Sequence, residues 1–425
     1  MKLSGFLTIK YLFFIFFWTA AQALCSQAQN YGLGGSTSGR ANSVLAEVNH
    51  PYAALYNPAL IAAQSQSLFG FSTGIQQTRF RGADEIKLKN QSLATWALGF
   101  SYPIKVSTSP DRQMGFGLAL SGPYQKLRTF SAYAPEDAFV MRYGGSDSQF
   151  KATLGAGIEI LPRSLYLGGG LSLYMSTAGA AEENIVGSNP TGRVALDVGL
   201  NSAAIVGLYA QNEKTQGAFT FHQQLDPTFT QSIDGKISVA GSDVIHQPML
   251  AKSSLYYEPQ SVQLEGQHRF GNLKTSMGLS YEFWSRYKAP ILITEAKDNL
   301  GGTRVTQVAQ VPMRNTWNPR ISFELPADDS FTLSSGYQYR PSPVVDLSGT
   351  GNYLDSSAHV LGLSISYNIK PKSILPWPTQ LGLYGQYHWL NSRKITKTVR
   401  TSETPPDFTF QGNAAVYGLC LQTAL

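Results

Sequence analysis

Leu93 to Tyr102 reads LATWALGFSY, and its two faces decide the fold. Trp96, Leu98, Phe100 and Tyr102 fall on one side of an extended chain and Thr95, Ala97, Gly99 and Ser101 on the other, because successive side chains of a strand point to opposite faces. A large apolar face suits lipid, and a face of small residues suits a crowded lumen. The same division separates Phe116, Leu118 and Leu120 from Gly117, Ala119 and Ser121. It also separates Leu154, Ala156, Ile158 and Ile160 from Gly155, Gly157 and Glu159, and sets Leu165, Leu167, Leu171 and Leu173 on one face.

Extended along the chain, this period of two predicts strands at 67–80, 91–104, 114–128, 148–161, 165–178, 194–211, 215–231, 259–270, 273–287, 314–325, 329–341, 356–370, 377–393 and 409–425. That is fourteen, an even number, as required if both termini of a single-chain barrel lie in the periplasm. The links alternate in length. Tight ones at 162–164, 212–214, 271–272 and 326–328, with 105–113 and 371–376, fall between long ones at 129–147, 179–193, 232–258, 288–313, 342–355 and 394–408; 81–90 is the shortest of the odd links. Short periplasmic turns and long outer loops give this alternation in an outer-membrane barrel, whereas a soluble sandwich has no reason for it. Tyr417, Leu419, Leu421 and Leu425 carry the pattern to the last residue, as expected of a closing strand read by the barrel assembly machinery.

Composition agrees. Only 14% of the 425 residues are charged, 12% are aromatic, and 40 are glycine. The mean hydropathy is −0.13. Past the N-terminus no apolar run approaches the ~20 residues of a spanning helix. A secreted soluble β-protein would share the bulk composition but not the alternating links. Residues 1–28 read as a signal peptide, with Lys2 and Lys10 at the start, an apolar core from Tyr11 to Trp18, and Ala21-Gln22-Ala23 or Ser26-Gln27-Ala28 as cleavage site. Lipid anchoring at Cys25 is disfavoured because Leu24 stands where a small residue is expected. Cleavage after Ala28 leaves Cys420 as the one cysteine, so no intrachain disulfide forms. Loss of Lys2 and Lys10 takes the formal charge from +6 to +4 (6 − 2), too mild and dispersed for a nucleic-acid surface.

Between the signal and the first strand lies YGLGGSTSGRANSVLAEVNHPYAALYNPALI, Tyr31 to Ile61. It is too apolar for a solvated tail and has no strand period, so residues 29–66 are assigned as a plug inside a barrel formed by 67–425. Its Gly32-Leu33-Gly34, Ser38-Gly39-Arg40-Ala41 and Asn57-Pro58-Ala59-Leu60 resemble the N-terminal hatch of the outer-membrane long-chain fatty acid and hydrocarbon transporters of the FadL/TodX type. Further along, Tyr281-Glu282-Phe283-Trp284-Ser285-Arg286-Tyr287 resembles that family's Tyr-x-x-Trp-Ser-x-aromatic strand end. Thr316-Trp317 through Arg320-Ile321-Ser322, Asp328 to Gly336, Ser342-Pro343-Val344 and Gly122-Pro123-Tyr124 follow the same order. The resemblance covers essentially the whole mature chain. It implies an all-β, fourteen-stranded antiparallel transmembrane barrel with a hatch in its lumen, passing hydrophobic molecules inward without an energy source. Ligand would be caught among outer loops and would leave sideways near an inward kink of the third strand.

Several residues are candidates for that work. Pro123, which cannot donate to a sheet ladder, marks a break after Gly122 and before Tyr124, read either as a rim bulge or as a lateral gate. Asn57-Pro58-Ala59 controls backbone: Pro58 holds Asn57 extended, and Asn57 can satisfy backbone groups in a lumen poor in water. Ile185, Val186, Val244, Ile245, Pro248, Met249 and Leu250 are apolar positions on outer loops, where either a greasy ligand or loop packing would cover them. Register turns Lys151, Glu159, His222, Glu265, Arg269, Lys274, Glu282, Arg286, Arg320, Glu324, Gln338, Arg340 and His388 inward; Arg286, Arg320 and Arg340 are the candidate contacts for a fatty-acid carboxylate. Trp284 is expected to pack on the hatch. No metal-ligand spacing of histidines, Gly-x-Ser-x-Gly elbow or phosphate loop occurs, so neither an enzyme nor a cofactor is expected. The expected partners are hydrophobic small molecules, outer-membrane lipid and lipopolysaccharide, and the assembly machinery of a Gram-negative outer membrane. Aromatic hydrocarbons are the alternative cargo, and a structural or surface-recognition barrel without transport is the alternative class.

Overall fold

The computed structural model describes residues 28–82, 88, 90, 92–106, 112–124, 138–143, 150–186, 189–239, 242–254, 257–289, 291–297, 303–305, 312–345, 353–371, 376–396 and 407–425. The signal-peptide assignment lies, but for Ala28, outside them.

Strands β1 (Leu68–Arg81), β2 (Ser92–Val106) and β3 (Arg112–Pro123) open the chain's sheet. A short β4 (Phe139–Val140) precedes β5 (Lys151–Leu161), β6 (Leu165–Val186), β7 (Asn189–Gln211) and β8 (Thr215–His222). Next come β9 (Thr228–Val239), β10 (Ser242–Ser254), β11 (Gln260–Phe270), β12 (Leu273–Phe283), β13 (Ile293–Lys297) and β14 (Thr303–Val305). The chain ends through β15 (Thr316–Pro326), β16 (Phe331–Arg340), β17 (Tyr353–Leu354), β18 (Ala358–Ile369), β19 (Thr379–Ile395) and β20 (Phe408–Ala424).

Among these, β1, β2, β3, β5 to β8, β11, β12, β15, β16, β18, β19 and β20 form a closed ring of fourteen antiparallel strands. The ring closes where β20 pairs along the whole of β1, from Leu68↔Ala424 to Arg81↔Gln411. The alternation read from Leu93 to Tyr102 holds: Thr95, Ala97, Gly99 and Ser101 are buried and Tyr102 is exposed. Outside, Phe116, Leu154, Leu171, Leu264, Leu363, Leu383 and Leu419 stand bare. Each would cost about 1.5–3 kcal/mol to leave in water, so this belt belongs in a bilayer. No described helix is long and apolar enough to cross a membrane.

Local chemistry explains the tight turns at one rim. Gly271, at φ +60°, makes the two-residue turn between β11 and β12. The Asn212 carboxamide accepts the Lys214 and Thr215 amides, and Asp328 does the same for Ser330 and Phe331.

At the opposite rim the structure departs from the sequence reading. The expected strand 215–231 stops at His222; the chain leaves the wall, Leu225 pairs with Glu258, and Pro227, with no amide for a ladder, stands just before β9. Residues 228–231, expected as the end of that strand, and most of the expected loop 232–258 instead form the hairpin of β9 and β10. The expected loop 179–193 is the continuation of β6 and β7, paired out to Val186↔Asn189 and flanked by β9 in parallel from Thr177↔Phe229. A tertiary partner, not local propensity, keeps that stretch extended.

Inside the ring lies the N-terminal segment, with four short helices: α1 (Ala28–Tyr31), α2 (Gly35–Gly39), α3 (Ala53–Tyr56) and α4 (Ala59–Ala63). Helix α2 packs on β16, β18, β19 and β20, and α3 and α4 on β2, β3, β5 and β6. Inward glycines let backbone touch backbone. A Cβ on Gly168 would fall inside the Pro58–Ala59 peptide, and one on Gly336 inside the backbone of Arg40.

Candidate functional site

Above the wall is a cavity of about 580 Å³ with apolar sides from Phe229, Ile291, Ile293, Met313 and Tyr353. Lys252, Arg286 and Lys288 stand on it. Lys252 pairs with Glu295 at 3.0 Å and Lys288 with Asp226 at 2.5 Å, whereas Arg286 has no ion pair among the described residues. The sequence reading turned Arg286 inward on a strand. Instead β12 ends at Phe283, and a 3-10 turn, Trp284–Arg286, leaves Arg286 exposed. Trp284 is buried, but between Tyr257 and Tyr287 (centroids 5.9 and 6.0 Å).

From the cavity an apolar cluster runs inward. Tyr353, Ile291 and Met313 belong to both, and the cluster continues through Leu354, Phe139, Val140 and Tyr143 to Tyr31 of the N-terminal segment, Phe80 and Phe410. Residues 139–143 were expected in an outer loop. They fold into the lumen, where β4 pairs in parallel with β17. The apolar triplet Phe139-Val140-Met141 was the available signal.

Around Tyr31 the cluster meets charge. Arg142 is fully buried; burial would pull its pKa down, but Asp355 at 2.8 Å holds it raised. Arg340, also buried, donates from Nη1 to Asn30 Oδ1 at 2.7 Å and has no carboxylate partner among the described residues. Burial, with Tyr143 beside it, pushes the Tyr31 hydroxyl's pKa up, so it stays neutral. His388 joins Tyr143 at 3.0 Å and Gln386 at 2.8 Å. Arg320 differs from Arg340: its Nε pairs with Glu265 at 3.2 Å.

The segment is tied to one side of the wall by ions. Arg40 reaches Glu47 at 2.8 Å, Glu324 at 3.4 Å and Ser276 Oγ at 2.8 Å. Lys274 pairs with Glu324 at 2.6 Å. Asn57 Nδ2 donates to the carbonyls of Leu45 (3.1 Å) and Leu208 (3.2 Å), joining segment and wall, while its Oδ1 accepts the Ala59 amide; Pro58 starts α4.

Strand β3 is unevenly paired. With β2 it runs on to Trp96↔Gly122 and Thr95↔Pro123, but with β5 it ends at Ser121↔Lys151. Beyond that rung Trp96 packs against Phe150 and Tyr124 (centroids 6.2 and 6.5 Å). Lys151, the last paired residue, is held at 2.8 Å by Glu258, which also accepts from Tyr174. Of the outer-loop candidates, Met249 and Leu250 are half-buried on β10 opposite β13. Ile185, Val186, Val244 and Ile245 lie on β6 and β10, and their side chains, like those of Pro123 and Pro248, fall outside the described residues.

A closed ring of fourteen strands, lipid-facing outside and occupied by the chain's own N-terminus, is an outer-membrane β-barrel with the FadL/TodX-type fold. Over 95% of its length the chain is similar to a FadL homologue of Pseudomonas aeruginosa, all of which is covered (TM-score 0.61, 12% identity). The toluene transporters TodX of Pseudomonas putida (TM-score 0.57, 12% identity) and TbuX of Ralstonia pickettii (0.52, 13%) each match 93% of this chain and 99% of their own. Alkane uptake protein A of Marinobacter nauticus is 24% identical over 147 residues, 33% of this chain and 30% of that protein. No family model matches the chain.

Proposed function

We propose that this barrel carries hydrophobic compounds passively across the outer membrane, with long-chain fatty acids as the first cargo. The observation that supports this reading is the apolar cluster that continues from the outer cavity to Tyr31 and ends beside Arg340, a buried cation with no carboxylate partner among the described residues. A buried guanidinium without a counter-ion is costly, and a ligand carboxylate would offset that cost. Neutral hydrocarbons, the cargo named for TodX and TbuX and suggested by the alkane relative, gain nothing from Arg340. Ligand would enter at the cavity beside Arg286, pass Tyr353 and Phe139, and leave beyond the Ser121↔Lys151 rung, where Gly122, Pro123 and Tyr124 form the gate. Residues 29–66 act as the hatch, with both termini periplasmic and the long hairpins among lipopolysaccharide.

Locking the seam tests the route. Gly122 and Phe150 are close enough that a Cβ on Gly122 would lie 3.2 Å from the Phe150 ring. Oxidised Gly122→Cys/Phe150→Cys protein should lose fatty-acid uptake in a deletion strain and regain it on reduction. Equal uptake in both redox states would discard the lateral exit. Normal uptake of fatty acids, aromatics and alkanes in the deletion strain itself would favour a structural barrel.

A further inference from the structure

Strands β15 and β16 part where the apolar cluster meets the polar wall. Their ladder begins only at Arg320↔Gln338, although β15 starts at Thr316 and β16 runs to Arg340; the next link outward is the isolated Met313–Val344 bridge. Thr316, Asn318, Arg320, Gln338 and Arg340 all turn inward around this parting, and each is at least nine-tenths buried. Four of them hold polar atoms without a protein partner: Thr316 Oγ1, Asn318 Oδ1, Arg320 Nη2 and Gln338 Oε1. Asn318 spends its amide nitrogen on Ser280 Oγ at 3.4 Å, and Arg320 spends Nε and Nη1 on Glu265 and Gln263, each at 3.2 Å. Unsatisfied buried polar atoms are uncommon singly, and four around one opening make a site.

Two of the free atoms are carboxamide oxygens, which accept and cannot donate. A plain carboxylate brings four more acceptor positions and no proton, so it suits Arg340 but not Asn318 Oδ1 or Gln338 Oε1. A hydroxyl near the carboxylate brings one proton and suits one of them. Gln338 lies two residues from Arg340 on the same face, ~7 Å along the strand, so the hydroxyl must sit within a few carbons of the acid. Resting on the transport reading above, we propose that the parting between β15 and β16 is a head-group site for hydroxylated fatty acids, with the carboxylate on Arg340 and the hydroxyl donating its one proton to Gln338 Oε1 while it accepts from Arg320 Nη2 on the facing strand.

Competition binding to the purified full-length barrel, with 3-hydroxydodecanoate, dodecanoate and dodecane as probes, tests this. The expected order has the hydroxy acid about tenfold tighter than dodecanoate, since a site built to bond a hydroxyl rejects the analogue lacking it. In Gln338→Met, which keeps its volume, and in Gln338→Leu that ratio should fall to about one. Measuring both acids on each variant separates lost preference from lost folding, which removes both. Equal affinities of the two acids for the wild-type barrel, or an unchanged ratio in the folded variants, overturns the head-group site and leaves those atoms to water. If none of the three probes binds, the transport reading fails with it.

Discussion

Between β2 and β7 the wall turns glycine and alanine inward, whereas between β11 and β16 it turns carboxylates, carboxamides and guanidinium groups inward; the same N-terminal segment lies against both. On the first side, α3 and α4 rest on Gly117, Gly155, Gly157 and Gly168, and fit is set by the absence of side chains. On the second, Gly336 meets the Arg40 backbone, but beyond it the Arg40 side chain spans the space to Glu324 and Ser276, and most of the fit is set by charge. Contact between backbones has one geometry and tolerates no added atom. Ion pairs tolerate displacement at a cost that depends on water and on pH. The polar side is therefore the side on which the segment can yield.

Three changes test that contrast, from the largest expected effect to the smallest. Arg40→Ala leaves Glu47 and Glu324 to Lys274 alone and should destabilise the docked segment by up to ~3–5 kcal/mol, the cost of removing one partner from a buried ion pair. Protease cleavage within residues 29–66 of an otherwise heat-resistant barrel would report it; unchanged protection would show that charge does not hold this side. Gly168→Val drives a side chain into Pro58–Ala59 and should cost ~1–3 kcal/mol by overpacking. Its mark is release of α3 and α4 with the Arg40 contacts kept, seen as new amide exchange in 53–63 alone.

Acid supplies the third. Burial holds the His50 imidazole down at about 3, with Glu47 pulling the other way. Burial would raise the Glu47 carboxyl, but Lys274 and Arg40 outweigh it and hold it below the usual carboxylate range. Both groups are depressed on folding, so their stabilisation is complete above the unfolded values of roughly 6.5 and 4.5 and is lost as pH falls toward the folded ones. Protection of the segment should decline in two stages below about pH 6.5. His50→Gln should remove the upper stage and leave the lower; if it leaves both, His50 is not the group titrating.

Much of this was legible in the chain. Period two gave the ring, and Gly99, Gly117, Gly155 and Gly157 are the small inward face read from it. What the glycines face could not be read, because contact with a segment some fifty to a hundred residues away leaves no local pattern. Arg320 and Arg340 look alike by register, yet Arg320 is neutralised by Glu265 and Arg340 meets no carboxylate among the described residues; that difference depends on the three-dimensional neighbours of each. Arg286 was misplaced because its strand ends three residues before it, at Phe283, in a turn with no Gly or Pro to announce it. The outer hairpin β9–β10 was hidden for a related reason: its strands are short of apolar alternation and owe their extension to β6 and β13.

The enclosed segment precedes β1, and the seam that shuts the ring joins the first wall strand to the last. Gly99 and Gly168 touch the segment from strands made early, while Ser364 and Gln386 touch it from strands made near the end. The segment is therefore held from both ends of the wall, and its contacts are complete only when that seam is shut. The finished molecule is in that sense a wrapping, in which contents and container are one chain and the closing seam joins the two ends of the wall.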